Sequence, residues 1–515
     1  MRIGTNVAAI VANNALQKSQ NNLSTSIERL SSGYKINGSK DDAAGCAISE
    51  KMRAQIRGLS QAQNNTADGV SVLNTAEGAI TEIQSMLTRL KELSVQAAND
   101  VNSDDEREAI QKEIEQINNE IDRISDQTEF NTQSLINGNL SRRVYSDFQG
   151  VNQLSVSDSY TAGVYGITVT EDARQAIAVG AGSITMSSTA SITKEQAGAI
   201  NINGYKISIS EGDTLDKVMG KIIDGVNITG GSAFTVKDLN NDTVANGTDY
   251  AGYVPTADYA GSTLVIMTNQ YGSDQKMNIT CDNAELADIL GIPQAATQDG
   301  IYVEGSDVKA EIATGDDGKR IGFADSAILS TKGTVITVTD VNNKEFSMDV
   351  PGNAAGTVFD DSNNDGQSVA GAGTARTISQ EVTDVGTMSI HVGANQDQVI
   401  VIDIPAITTY SLGTEHMNVM TQYTASRAIS TVDEAINKTN KIRSRIGAYE
   451  NRFDHTTNNL EVSSENLTKS LSTMIDTDMS EEMTTYTSET VLTQAATSIL
   501  AQANERPSQV LQLLQ

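Results

Sequence analysis

Residues 73–97 read LNTAEGAITEIQSMLTRLKELSVQA. Within them Leu73, Ala76, Ile80, Ile83, Leu87, Leu90, Ser94 and Ala97 step by 3, 4, 3, 4, 3, 4 and 3 residues. That spacing draws one narrow small-and-apolar stripe along an α-helix, the a/d seam of coiled-coil packing. A stripe so narrow is stable only when another helix covers it. Two more seams supply the cover. Ile110, Ile114, Ile117, Ile121 and Ile124 form one, and Ala428, Val432, Ala435, Thr439, Ile442, Ile446, Tyr449 and Phe453 the other. Seams from opposite ends of the chain predict one bundle built by both arms.

Between the first two seams, Ala97–Asp105 (AANDVNSDD) collects turn-forming residues, with Ser103 or Asp104 placed to cap the next helix. The chain then folds back as an antiparallel hairpin. The first helix extends upstream through Ala43–Ala62; over residues 43–98 it would be about 85 Å long. The five prolines, at 255, 293, 351, 405 and 507, leave residues 1–254 and 406–506 free of proline, which permits long helices there.

The extreme ends are complementary. Residues 1–40 carry five bases and one acid, and residues 470–515 six acids and one base. Val7, Ile10, Val11, Leu16, Leu23, Ile27 and Leu30 give one apolar face; Val491, Leu492, Ala495, Ile499, Leu500, Val510, Leu511 and Leu514 give the other. The two ends are expected to pair. Each is thin in large side chains, so both are expected to be disordered in an isolated subunit and to order when neighbours cover them.

Residues from about 140 to 420 change to period-two patterning. Ile200–Ile209 reads as two strands around Asn203-Gly204, a hairpin signal. Leu215, Val218, Met219 and Ile222 follow at helical spacing. Strands are expected at Thr263–Thr268, Met277–Cys281, Thr334–Thr339, Glu345–Val350, Thr387–Val392 and Val399–Ile404, with a short helix near Ala284–Leu290. The fold class is therefore multi-domain α+β. A long antiparallel helical coiled-coil bundle, built from the N- and C-terminal arms, carries β-rich inserted outer domains. The expected divisions are 1–40, an N-terminal tip helix; 41–175, the N-terminal part of the bundle core; 176–384, the outer domains; 385–469, the C-terminal part of the bundle core; and 470–515, a C-terminal tip helix.

Composition narrows the function. The formal charge is −30, and residues 176–385 alone hold 28 acids against 12 bases. A nucleic-acid partner is excluded, because phosphate binding needs clustered Lys and Arg. With 4% aromatic residues and no Trp, cores rest on aliphatic side chains. No segment approaches the ~20 apolar residues of a membrane span. The N-terminus lacks the apolar run and cleavage site of a secretory signal, so export, if any, is expected to read no cleavable signal. Cys46 and Cys281 are read as buried thiols acting as small hydrophobes. His391, His416 and His455 share no metal-ligand spacing, and HExxH, GxSxG and GxxxxGK[ST] are missing from the sequence. Asp361–Gly366 matches half of a calcium loop, but Ala372 stands where the bidentate acid belongs. It is read as a surface turn. No catalytic residue, metal or cofactor is expected.

Several motifs carry a resemblance. LSSGYKIN (30–37), DDAAGCAIS (41–49), NTAEGAI (74–80), EIDRIS (120–125), EFN (129–131), IHVGAN (390–395), AQAN (501–504) and VLQLL (510–514) together resemble bacterial flagellin. The likeness covers roughly 1–170 and 385–515, and Ile200–Gly230 is similar to an insert motif of some flagellins. The resemblance implies a subunit that polymerises with itself into the flagellar filament used for motility. The tip helices would line an inner tube. The subunit would be extracellular, exported uncleaved by the flagellar type III apparatus. Its implied partners are a flagellar export chaperone, the filament cap and hook-junction proteins, and a host Toll-like receptor. Carried over by the same likeness, the receptor site would comprise Arg89, Leu90, Glu92, Leu93, Gln96 and Glu113. The alternatives are a hook-associated junction protein, and a filament-borne enzyme or adhesin working through the middle domain.

Overall fold

A computed structural model of the chain describes residues 6–157, 160–180, 182–237, 259, 261–292, 300–315, 318–341, 344–352, 359–360, 369–370, 375–383 and 385–513, with backbone alone at 236–237, 359–360, 369–370 and 507–513. The helices are α1 Val7–Ser32, α2 Ala43–Ala97, α3 Asp104–Gln127, α4 Leu215–Ile228, α5 Ala284–Ile289, α6 Thr409–Leu412, α7 Gln422–Ile475 and α8 Met479–Leu513. The chain divides into two compact units. One holds Met1–Val70, Ile390–Ile400 and Asn451–Gln515; the other holds Ser71–Ser389 and Val401–Glu450.

In the second unit the bundle joins α2, α3 and the first half of α7. All eight residues of the 73–97 seam are fully buried. Polar bonds fix the register of α7 against α2. Lys91 pairs with Asp433 at 2.6 Å, Gln84 donates to Asn440 at 2.9 Å, and Arg443 pairs with Glu77 at 2.8 Å. The sequence numbers run in opposite directions, so the two helices are antiparallel. Ser103, rather than Asp104, caps α3. Its hydroxyl accepts from the Glu106 N–H while the Glu106 carboxylate accepts from the Ser103 N–H, a reciprocal capping box.

The second seam differs from its strict heptad. Arg107, Ile110, Ile114, Asn118, Ile121 and Ser125 are buried, whereas Ile117 is half-buried. A straight α-helix drifts relative to a 3.5-residue repeat, and the buried stripe has followed the drift. Ile442, expected in the core of the third seam, is likewise half-buried, while Val432, Ala435, Ile446 and Phe453 are buried.

The middle region is nested. Strands 144–146, 163–171, 309–312 and 376–382 make one four-stranded sheet; strands 152–156, 328–332, 335–339 and 345–349 make another. They share a single core containing Tyr160, Tyr165, Phe323 and Phe346, whose rings meet mostly edge to face. A different core is made from residues 176–303, where α4 and α5 pack with a three-stranded and a four-stranded sheet. The chain thus enters the first β-rich core, leaves to build the second, and returns. This corrects the expected division at 175/176. Residues 144–173 belong with 308–382 and not with the bundle, because among the described residues their strands pair with strands there. The expected hairpin at Asn203-Gly204 joins strands 198–202 and 205–209, and both turn residues have positive φ, 50° and 89°. The half calcium loop lies outside the described residues.

In the first unit Leu59, Ala62 and Leu460 form a small core with Ala394 packed against it. A side chain added at Gly58 would meet Ala394 at 2.9 Å, so the 394 turn approaches α2 where only glycine admits it. Cys281 is buried as expected, whereas Cys46 is half-buried.

Cutting Leu87 back to Ala should lower bundle stability by about 2–5 kcal/mol, the usual cost of a cavity at a fully buried leucine. Urea unfolding followed by helical circular dichroism measures it. Thr88→Ala, one residue along and exposed, should leave the midpoint nearly unchanged; equal losses in the two variants would refute the seam.

Candidate functional site

The terminal helices differ from expectation in an informative way. Both tips are helical, and α1 packs against α8. The pairing is antiparallel. Asn6 donates to the Ala503 carbonyl at 2.8 Å, Ser19 donates to Glu489 at 2.6 Å, Asn22 donates to the same carboxylate at 2.9 Å, and Arg29 lies 3.6 Å from Glu482. Asn6 also caps α1, accepting from the Ala9 N–H at 3.1 Å. Gly33, at φ 75°, ends the helix, and its carbonyl accepts from Thr477 at 2.9 Å. The expected disorder is not what the structure shows, because the ends supply each other with a partner.

The partner covers a different stripe from the one expected. The covered residues of α1 are Ala9, Ala12, Leu16, Ser19, Leu23, Ser26 and Leu30; those of α8 include Tyr486, Glu489, Thr493, Ala496, Leu500 and Ala503. Both stripes keep the 3,4 alternation, but small and polar side chains fill many positions. Of the expected tip residues, Leu23, Leu30 and Leu500 are half-buried in this seam. Val7, Ile10, Val11 and Ile27 on α1, and Val491, Leu492 and Ile499 on α8, stay exposed, at 65% for Val7 and 64% for Val491. The side chain of Leu511, and all of Leu514, fall outside the described residues. The apolar face seen in the sequence therefore splits. One part zips the pair, and the other is left uncovered.

Glu489 is the polar centre of the seam. The Ser19 hydroxyl, then the Asn22 amide, holds its carboxyl below the usual range. The sign follows. A depressed carboxyl stabilises the pair above its unfolded value, near pH 4, and that contribution is lost as pH falls through the folded value.

The carried-over receptor residues separate into two sets. Arg89 reaches across from α2 to α3, its Nη2 2.8 Å and its Nε 3.0 Å from Glu113, with Glu92 at 3.2 Å. Gln96, two turns along α2 from Arg89, is exposed on the same face. These four make a continuous polar surface, and the carboxylates of Glu113 and Glu92 push the guanidinium pKa up. Leu90 and Leu93 do not join them. They are 0% and 1% exposed, because both fall inside the stripe that the bundle buries. They shape the surface from below and offer it no atoms. Val95 and Val101, which the sequence reading passed over, are exposed beside this face at the end of the hairpin.

Among the described residues no three His, Cys, Asp or Glu side chains gather to hold a metal, and no helix is long and apolar enough to cross a membrane. Paired terminal helices with uncovered Val, Ile and Leu, in a chain that also builds a helical bundle and inserted β-rich cores, define a class of structural protein with apolar arms. Known proteins make the class specific. Residues 3–141 match the family described as the bacterial flagellin N-terminal helical region, and residues 429–514 its C-terminal helical region. A flagellin of Salmonella typhimurium is 31% identical, with 99% of each chain covered; polar flagellin A of Vibrio parahaemolyticus is 30% identical over 100% of this chain and 99% of its own. A solved hook-associated protein-3 from Legionella pneumophila aligns with 82% of this chain and 98% of its own at 13% identity, with a TM-score of 0.28. The chain belongs to the bacterial flagellins, the structural subunits of the flagellar filament.

Acidification from pH 6 to pH 3 should loosen the α1–α8 pair, read as loss of helical Cα chemical shifts at residues 15–26. Glu489→Gln should remove most of that pH dependence; an unchanged transition would show that Glu489 is not its source.

Proposed function

We propose that this subunit polymerises with itself through α1 and α8, and that its role is mechanical and not catalytic. The observation that carries the reading is the row of exposed aliphatic side chains on two helices already paired with each other. Isolated exposed valines are ordinary, but seven such residues on one helix pair are surface waiting for cover. Burying a Val or Ile side chain gains about 1.5–3 kcal/mol, so lateral packing of several subunits offsets the entropy of ordering them. The same reading makes the subunit an extracellular component of the flagellum, exported without a cleaved signal. It is helped by a cytoplasmic chaperone for its apolar C-terminal helix and placed by the filament cap beyond the hook-junction proteins. Similarity to flagellins over the full length favours the filament over the junction.

The test is seeded assembly. Val11→Asp combined with Leu492→Asp should abolish filaments in electron micrographs while the monomer keeps its melting temperature. Normal filaments from that variant would end the proposal.

The polar surface of Arg89, Glu92, Gln96 and Glu113 supports a second role, as the face offered to a host Toll-like receptor. It is exposed, and it is pre-ordered by the Arg89–Glu113 pair. Arg89→Asp should weaken receptor binding at least ~10-fold in a direct assay, as losing a charged contact of about 1.4 kcal/mol or more would. Leu90 and Leu93 substitutions should act only through bundle stability. Full affinity in Arg89→Asp would remove this face from the role.

A further inference from the structure

A cavity of about 390 Å³ lies in the second unit, where the α2–α3 turn, the start of α7 and the inserted α+β core come together. Its volume is at the lower end of the range for small-molecule pockets, about 300–1,000 Å³. Three tyrosines line it, Tyr205 beside the 203–204 turn, Tyr302 on strand 301–304, and Tyr423 in the first turn of α7. They come from separate segments of the chain, and Tyr302 is 52% exposed.

Both cations on the wall are already partnered. Arg107 spends its guanidinium on the Ala97 and Asn99 carbonyls, both at 3.2 Å, and lies 3.9 Å and 3.8 Å from Asp100 and Asp104. Lys276 pairs with Glu304 at 2.7 Å, and its ammonium sits 5.7 Å from the centre of the Tyr302 ring. Three carboxylates thus face two cations, and neither cation is left free to hold an anion. What remains for a visitor is ring surface, the hydroxyls of Tyr205 and Tyr423 (Tyr302 donates its own to Glu304 at 2.8 Å), and the amides of Asn278 and Gln422. Burial pushes the Tyr205 and Tyr423 hydroxyls up, so both stay protonated and able to donate.

From this we infer that the cavity is a binding site for a neutral saccharide of one or two rings. Such a ligand has apolar C–H faces that stack on phenol rings, and hydroxyls that both donate to and accept from amides and phenols. A phosphate or carboxylate ligand would find its cations taken. Because the wall combines the bundle with the inserted core, a bound sugar would tie the two together. None of its residues lies in α1 or α8, so the site is separate from the helices proposed to polymerise.

Saturation-transfer NMR on the full-length monomer tests this with galactose, N-acetylglucosamine, lactose and maltose as neutral probes, and glucuronate and inorganic phosphate as anionic ones. At least one neutral sugar should receive saturation. Tyr302→Ala and Tyr423→Ala should each weaken it roughly tenfold, as loss of one stacking ring predicts. Tyr145→Ala, exposed on a different sheet, should leave it unchanged, and all three variants should melt like the parent. Absence of transfer to every neutral sugar, stronger binding of glucuronate or phosphate, or undiminished binding in both pocket variants would overturn the assignment.

Discussion

The structure depends on burial of a seam whose two sides are more than three hundred residues apart. Leu73 to Ala97 on α2 cannot be solvated as a stripe of that length without cost, and the first half of α7 is what closes over it. Ion pairs such as Lys91–Asp433 set the register but stay partly exposed, so each adds little by itself. The stability is in the Leu, Ile and Ala side chains. The two β-rich cores lie in the chain between α3 and α7, on either side of which that closure is made, so whole domains can be inserted without interrupting the bundle.

The terminal pair obeys a different balance. Its most deeply buried positions are the small residues Ala12, Ser19, Ser26 and Ala503, so the pair buries little apolar area. Leu16, Leu23, Leu30 and Leu500 are only half-covered there, and Val7, Ile10, Val11, Ile27, Val491, Leu492 and Ile499 stay exposed. A pair built in this way is internally modest and externally adhesive, which suits the subunit contacts proposed for these helices. The polar contacts at Glu489 choose the register where a Leu-rich seam would have chosen by volume.

The sequence showed the fold where periodicity was strong and long. The first seam, a cap at Ser103 or Asp104, and the Asn203-Gly204 turn could be read without coordinates, since each rests on local spacing or a local backbone demand. It failed where the answer was set by tertiary partners. Ile117 and Ile442 matched a heptad but sit at the edge, since the real stripe follows a straight helix. Residues 144–173 carry strand pattern, yet nothing local tells that their partners come from 308–382. Of the residues the resemblance offered for a receptor face, Arg89, Glu92, Gln96 and Glu113 are exposed, whereas Leu90 and Leu93 belong to two patterns at once. Their seam position outweighs their motif position. The tips read as two apolar faces because composition does not say which stripe of a helix its partner takes. The cavity beside Tyr423 left no linear signal at all, as its rings come from segments far apart in the chain.

The nested topology also sets a timetable. The α2–α3 hairpin closes over a turn of a few residues, whereas Lys91 meets Asp433 only across a loop of more than three hundred. The entropy of closing a loop rises with the logarithm of its length, so prior folding of the two inserted cores shortens the effective loop and makes the final closure easier. A chain delivered from its N-terminus therefore cannot complete the bundle until the beginning of α7 arrives. Until then its longest apolar stripe lacks its most distant partner, and the molecule is kept soft by the order of its own sequence.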